Sequence, residues 1–355
     1  MIGERLLRAR KAAGLSMQAL ADQVGVSATM INKYEKGKST PGSKALIQLS
    51  KALGVRSEYF FRPVQVQLEG VEYRKRASTP QKLLNRIEAD VLDQAERWQI
   101  LADLYPHFPL PDFAQPLGLP ANVASLDEVD AVAYGVRDAW ALGRNPIPDL
   151  IDVLEARGIL VILTGVDDLN KFDGLQASVA GKPFIVVSSH WPGDRQRFTL
   201  AHELGHLILH GRLGQGVDEE KACNRFASAF LLPESSLRQQ FGEQRHNLEA
   251  RELYLLKHEY GISMAACLYR AADLGIIDEG LRKRAFIRFR QKGWHKEEPG
   301  EPYPAEASQL FSQLVYRALG EEIISESKAA ELLKMPLMQF HRERNLEPLD
   351  AVVGQ

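Results

Sequence analysis

Apolar residues recur at helical spacing through the first 62 residues of this 355-residue chain. The spacing predicts four short helices, at residues 3–13, 17–24, 28–36 and 43–53. Ser16 and Ser27 stand at N-cap positions for the second and third helices, and Gly25 ends the second one. Because two short helices joined by a glycine-containing turn form a helix-turn-helix, this region is predicted to be a small all-α domain.

The rest of the chain mixes helical periodicity with strand patterns. Further helices are predicted at residues 80–104, 126–142, 146–157, 193–211 and 218–230, with more between 245 and 290 and two between 306 and 345. The β-branched run at residues 158–166 predicts a strand, and residues 174–189 predict a hairpin that turns at residues 180–182. This order predicts an α+β domain in which a small sheet packs against the helix at 193–211.

These patterns divide the multidomain chain into four predicted regions. They are a helix-turn-helix domain at 1–62, a helical linker at 63–122, an α+β domain at 123–245 and a helical C-terminal region at 246–355. Five prolines within residues 106–120 cannot continue a helix, so that stretch is predicted to connect the linker to the α+β domain.

The charges are distributed unevenly along the chain. The formal net charge is only −2, yet residues 1–62 contain eleven Lys and Arg against four Asp and Glu, which suits a polyanionic partner for the first domain. The two cysteines, Cys223 and Cys267, have no metal-binding spacing and are interpreted as buried thiols in a reducing compartment. Without a signal-peptide pattern or an apolar run long enough to cross a bilayer, the protein is expected to be cytoplasmic.

The segment ALADQVGVSATMINKYEKGKSTP at residues 19–41 resembles the lambda-repressor/Cro-like (XRE) DNA-binding domains, and the resemblance covers residues 3–61. It implies an operator in double-stranded DNA as the partner, with phosphate contacts giving most of the affinity. Met17 stands where the family often has glutamine, with Gln18 next to it. The residues implied to face DNA are Gln18, Ala28, Thr29, Asn32, Lys33, Lys36, Lys38 and Lys44.

A different interpretation of this domain is a helical protein-interaction module whose lysines form a solvated face. The basic residues cluster where phosphate contacts require them, which favours DNA binding. Residues 260–278 also have a helix-turn-helix rhythm, but apart from Arg270 the arginines follow that segment rather than lie on it. We therefore expect those helices to pack beside the α+β core instead of reading DNA a second time.

His202, Glu203 and His206 form an H-E-x-x-H motif on a predicted helix. Residues four apart on a helix lie on the same face, so both imidazoles can reach one Zn²⁺ at roughly 2.0–2.1 Å. Glu203 is then placed to act as a general base. A surface helix with two unrelated histidines is the simpler explanation of the motif, and the helical context weighs against it.

A hydrolytic zinc site needs a third protein ligand. His210 continues the series, but a straight helix places it about 12 Å from His202. The next predicted helix offers Glu219 and Glu220. Glu220 shares a helix face with Asn224, so Glu220 can bind zinc while Asn224 supports a histidine ligand through its imidazole N–H.

The segments RQRFTLAHELGHLILH at 195–210 and EKACNRFASAFLLP at 220–233 resemble the ImmA/IrrE family of zinc metallo-endopeptidases, over roughly residues 120–300. The resemblance implies a zincin-like fold for the α+β domain, with His202, His206 and Glu220 as zinc ligands and Glu203 as the catalytic base. It also implies that the strand at residues 183–188 pairs with an extended peptide substrate.

The sequence thus favours a transcriptional regulator that binds an operator as a homodimer and uses a zinc site to cleave a repressor-like protein, a toxin partner or itself. Proteins that resemble this arrangement are typically associated with phage, mobile elements or toxin-antitoxin modules. One alternative is an antitoxin or sensor-type repressor whose peptidase fold only binds a partner or ligand. Another is a housekeeping peptidase that the helix-turn-helix recruits.

Overall fold

The computed structural model describes residues 2–62, 66, 69–75, 79–166 and 172–347, and of residues 71–75 it describes the backbone. The chain divides into two compact units. One unit consists of Met1–Leu68, Leu84–Pro111 and Ser308–Gln355, and the other consists of Glu69–Leu83 and Asp112–Ala307.

The helices and strands follow one another in a mixed order. The described helices are α1 (Ile2–Ala12), α2 (Met17–Val24), α3 (Ala28–Glu35), α4 (Ser43–Leu53), α5 (Gln81–Leu104), α6 (Val129–Ala139), α7 (Leu150–Glu155), α8 (Gly193–Leu209), α9 (Glu219–Leu231), α10 (Glu234–Phe241), α11 (Ala250–Tyr260), α12 (Met264–Asp273), α13 (Glu279–Gln291), α14 (Leu310–Gly320), α15 (Glu326–Leu332) and α16 (Leu337–Arg344). The described strands are β1 (Glu69–Lys75), β2 (Leu160–Thr164), β3 (Phe172–Val179) and β4 (Lys182–Ser188). Short 3₁₀ turns occupy Ser57–Phe61 and Leu126–Glu128.

The four N-terminal helices agree with the sequence prediction. Ser16 accepts a hydrogen bond from the N–H of Ala19, and Ser27 accepts one from the N–H of Met30, so both predicted N-caps are confirmed. A small core closes the bundle, and its fully buried members include Leu6, Leu20, Ile31, Leu49 and Phe60. The helix-turn-helix is therefore held in place by α1, which packs against α3, and by α4, which packs against α2.

Helix α5 packs in the same unit as the N-terminal helices and does not form a separate linker. Arg5 of α1 donates two hydrogen bonds to the carboxylate of Glu96 on α5, and both side chains are buried. Tyr105 donates a hydrogen bond of 2.6 Å to the backbone oxygen of Leu314 on α14. The two units thus divide the chain at other positions than the predicted boundaries at residues 62, 122 and 245.

The region predicted to hold two C-terminal helices contains three, α14 to α16, among its described residues.

Two helices of the second unit are shorter than predicted. Helix α7 begins only at Leu150, because the Asp149 side chain caps it by accepting the N–H of Asp152. Helix α6 ends at Ala139, and Ala141 has a positive φ of 57°, which a continuing helix excludes.

The strands of the second unit form one sheet whose order, over the residues that are described, is β1-β3-β4-β2. Strand β4 pairs in parallel with β2 and antiparallel with β3. Ala180 and Gly181, with φ of 50° and 77°, make the tight turn of the β3–β4 hairpin. The expectation that residues 183–188 pair with a peptide substrate is wrong, because β3 and β2 already occupy both edges of β4.

The helices after α10 complete the core of the second unit. Leu253 of α11, Cys267 of α12 and Phe289 of α13 are buried in one cluster with Leu200 and Leu204 of α8. The interpretation that these helices pack beside the α+β core is confirmed. Cys223 and Cys267 are buried thiols, as predicted. Among the described helices, none combines the length and the apolar composition that a bilayer crossing requires.

Candidate metal centre and nucleic-acid interface

Helices α8 and α9 approach each other closely at the H-E-x-x-H motif. Gly205 lies between Glu203 and His206, and a Cβ built on it would stand 3.2 Å from the Cα of Cys223 on α9. A larger side chain would push the helices apart. The glycine therefore allows α9 to bring Glu220 and Asn224 beside the two histidines.

The structure brings together the three predicted ligands, His202, His206 and Glu220. The two Nε2 atoms are 3.2 Å apart. The Glu220 carboxylate oxygens lie 3.4 Å from Nε2 of His202 and 3.6 Å from Nε2 of His206. A tetrahedral metal with bonds of 2.0–2.1 Å separates its ligand atoms by about 3.3 Å, so these three groups fit one zinc ion. His210 is exposed and lies outside this cluster.

A second pair of side chains fixes the orientation of the two imidazoles. Nδ1 of His202 lies 3.0 Å from Oδ1 of Asn224, and Nδ1 of His206 lies 3.1 Å from Oε1 of Glu219. Both oxygens are acceptors, so each Nδ1 donates its proton and each neutral ring turns an Nε2 lone pair toward the other. Two lone pairs that face each other at 3.2 Å are stabilised by a cation between them.

The Glu203 side chain lies close to the sheet. Its side chain is buried, and Gly174 of β3 lies so close that an added Cβ would stand 3.5 Å from Oε1 of Glu203 and 2.6 Å from Cγ2 of Thr199. By contrast, 67% of the Glu220 side chain is exposed, so the ligand cluster is open to solvent on the α9 side. The candidate base therefore sits between the ligand cluster and β3.

Strand β3 is held against α8 at its first residues. Arg195, in the first turn of α8, donates hydrogen bonds of 3.0 and 2.6 Å to Oδ1 of Asp173. The same guanidinium stacks on Trp191, whose indole N–H donates a 2.8 Å hydrogen bond to the backbone oxygen of Phe172. These contacts keep Gly174 beside the Glu203 carboxylate.

A C-terminal segment also fixes the start of α8. Arg197 pairs with the buried carboxylate of Glu306, which accepts backbone N–H bonds from Leu150 and Ile151 of α7 as well. Burial raises the pKa of Glu306, while Arg197 and the two N–H groups oppose that shift. Lys257 makes a comparable link between Asp194 and Glu298.

Sequence reasoning identified the residues of the motif but not all of their neighbours. Glu219 entered only as a candidate third ligand, whereas the structure places it on Nδ1 of His206. Gly174 lay in a predicted strand without any assigned role. The one sequence signal for Gly205 is its place inside the motif.

The residues predicted to face DNA lie on the surface of the first unit. Thr29, Lys33, Lys36, Lys38 and Lys44 are exposed, and Ala28 and Asn32 are half-buried on α3. Gln18 is exposed on α2 and donates a 2.7 Å hydrogen bond to Asp22. These positions remain predicted contacts.

Four of the basic residues counted in the first domain form ion pairs, and two of these pairs are Arg8 with Glu4 and Arg62 with Glu331. In the other two, Arg5 is paired with Glu96, and Arg10 is paired with Glu35, 2.5 Å away. The charge that can meet a polyanion therefore comes mainly from the lysines at the end of α3, in the loop after it and in α4.

The fold and the site define a class of protein with a helix-turn-helix unit and a second unit in which two histidines and one glutamate could hold a metal ion. Residues 6–60 match the helix-turn-helix family model, and residues 154–272 match the model of the IrrE N-terminal-like domain. The chain thus contains one segment that matches a helix-turn-helix family and a later one that matches an IrrE N-terminal-like family. Both resemblances found from the sequence are confirmed, and the second family implies a metal.

Several proteins are similar to parts of the chain. The SPbeta prophage-derived HTH-type transcriptional regulator YonR of Bacillus subtilis is 38% identical over 69 residues, which cover 19% of this chain and 64% of that protein. The HTH-type transcriptional regulator y4aM of Sinorhizobium fredii is 32% identical over 91 residues, covering 25% of this chain and 64% of that protein. The radiation response metalloprotease IrrE of Deinococcus radiodurans is 33% identical over 104 residues, covering 25% of this chain and 30% of that protein.

The chain therefore spans between 30% and 64% of the length of these relatives. A crystal structure of Bacillus thuringiensis PlcR in complex with the peptide PapR7 and DNA aligns with 97% of this chain and 98% of that one at 11% identity. Its TM-score of 0.17 is too low to indicate a shared fold.

Proposed function

We propose that this protein is a DNA-binding transcriptional regulator whose second unit is a zinc-dependent endopeptidase. The observation that carries the proposal is the convergence of His202, His206 and Glu220 beside a buried glutamate of the same motif. Three protein ligands with an open side correspond to a catalytic zinc site rather than a closed structural one.

Zinc in this cluster would polarise the scissile carbonyl and lower the pKa of a bound water to about 7. Glu203 accepts a proton from the attacking water on its carboxylate and returns it to the nitrogen of the leaving amine. Asn224 and Glu219 keep the two imidazoles in the tautomer that leaves Nε2 unprotonated. The burial of Glu203 keeps bulk water away from this carboxylate.

The substrate class that we propose is a protein, either a repressor-like protein or a partner of this chain.

We propose that this protein binds its DNA operator through α3 and the lysines that follow, as a homodimer that reads two half-sites. Lysine contacts to phosphates would supply most of the affinity, and Thr29 and Lys33, one turn apart on α3, would read bases.

A cleavage assay with the full-length protein tests this proposal. Zinc-loaded wild type is incubated with the proteins encoded next to it, and products are identified by mass spectrometry. We expect cleavage that stops in Glu203→Gln and on chelation and returns when zinc is added. If zinc binds but nothing is cleaved while DNA binding persists, the protein is a binding module rather than a peptidase.

A further inference from the structure

Strand β3 lies beside the candidate base. A Cβ on Gly174 would stand 3.5 Å from Oε1 of Glu203, and on its inner side β3 pairs with β4. Strand β2 lies beyond β4, two strands away from Gly174. An extended polypeptide that adds to this sheet beside Glu203 must therefore pair with the outer edge of β3.

This outer edge of β3 holds a segment of the chain itself. Strand β1 pairs antiparallel with β3, with Glu72 opposite Gln176 and Arg74 opposite Gly174. The register shifts between Glu69 and Glu72, next to Gly70 with its positive φ of 59°. Residues 72–74 thus pair with β3 in regular register, and one of their partners is Gly174, the residue beside Glu203.

We propose that the outer edge of β3 is the polypeptide-binding edge of the peptidase site and that residues 69–75 occupy it in place of a substrate strand. This inference rests on the proposed function. Strand addition recognises extended backbone through main-chain hydrogen bonds, so a segment of the same chain and a separate polypeptide compete for the same groups.

Occupation by β1 is reversible on physical grounds. The segment 69–75 contains Glu69, Glu72, Lys75 and a glycine, which are residue types with a low preference for strands. A segment of the same chain nevertheless competes intramolecularly, so it is favoured over a dilute free peptide of equal intrinsic affinity. Residues 69–75 therefore exclude peptides that bind β3 weakly. They are displaced by a polypeptide that binds more tightly or that also contacts other parts of the surface.

The test measures peptide binding in the Glu203→Gln background, so it does not depend on hydrolysis. The probe is a fluorescently labelled synthetic peptide with the sequence of residues 66–79, titrated against the full-length protein. Tyr73→Pro and Arg74→Pro form a matched pair, because adjacent residues of an edge strand turn their N–H groups to opposite sides. One proline removes a main-chain hydrogen bond from β1 to β3, and the other replaces an N–H of β1 that points away from β3.

We expect one of the two variants to bind the probe at least about tenfold more tightly than the Glu203→Gln parent, since the tethered competitor is lost. The other variant should change affinity much less. Equal affinity in the parent and in both variants would overturn the proposal.

A reversible lock provides a second measurement that does not weaken the fold. Glu72→Cys with Gln176→Cys joins register partners of β1 and β3, and each single-cysteine variant is the control. The native cysteines are buried, and burial raises the pKa of the Cys267 thiol, so oxidation acts on the new pair. The oxidised double variant should bind the probe at least about tenfold more weakly than after reduction.

Equal binding in the oxidised and reduced double variant would overturn the proposal even if the peptidase is active. If the enzyme binds zinc and cleaves nothing, the proposed function fails while the probe-binding pattern still decides what occupies β3. The two failures are therefore distinguishable.

Discussion

Nδ1 of His202 lies 3.0 Å from the amide oxygen of Asn224, one helix away. Close packing of α8 on α9 at Gly205 makes this contact possible. Its effect is to fix which ring nitrogen carries the proton, and hence which one can bind a cation. Glu219 does the same for His206.

Asn224→Ala should lower zinc affinity by about 10–100-fold, because the His202 ring loses the acceptor that sets its tautomer and orientation. Asn224→Asp keeps an oxygen at the same position and is the matched control, expected to stay close to wild type. Competition with a chromophoric zinc chelator gives both affinities. Unchanged affinity in Asn224→Ala would mean that the hydrogen bond does not orient the ligand.

Gly174→Ala should destabilise the protein, because the new Cβ would stand 2.6 Å from Cγ2 of Thr199 and 2.9 Å from the backbone oxygen of Val186. Overpacking of this kind costs about 1–3 kcal/mol. Gly165→Ala is the control, since its Cβ would meet only Oγ of Ser189, at 3.4 Å.

Denaturant unfolding of both variants, with wild type alongside, measures the difference in the free energy of unfolding. Adding Thr199→Ser to Gly174→Ala removes the methyl group behind the closest contact and should restore part of the loss. A Gly174→Ala protein as stable as wild type would show that β3 does not lie against α8 as described.

Lys38→Ala should weaken binding of the full-length protein to all duplex sequences alike and lower the salt slope by about 0.9, the contribution of one phosphate. Lys33→Ala and Thr29→Ala should instead change which sequences are selected from a randomised duplex pool. Lys51→Ala is the control, because Lys51 is also exposed but is not a predicted contact. Binding without any salt dependence would contradict the DNA-binding account.

The parts of the fold that depend on local signals were predictable from the sequence. Ser16 and Ser27 cap helices whose N–H groups lie three residues away, and the H-E-x-x-H spacing places two imidazoles on one face of α8. The face shared by Glu220 and Asn224 was found in the same way. Each of these features depends only on residues that lie within a few positions of one another in the sequence.

Sheet order could not be found in this way. Arg74 pairs with Gly174, a hundred positions further along the chain, and no periodicity within either strand encodes that choice. Residues 183–188 are apolar enough for a strand next to the site, but apolarity does not distinguish a central strand from an edge strand. The pairing of Arg5 with Glu96, which joins α5 to the first helices, could not be predicted either, because no local pattern links residues so far apart in the sequence.

The most direct test of the central claim is the zinc content of purified variants after dialysis, measured alongside hydrolysis. Wild type and Glu203→Gln should each retain one zinc per chain, with hydrolysis lost in the latter, because Glu203 moves a proton and does not bind the ion. Glu220→Ala should lose most of its zinc, since two protein ligands remain. Full zinc in Glu220→Ala, or no zinc in wild type even when it is resupplied, would contradict a catalytic site built on His202, His206 and Glu220.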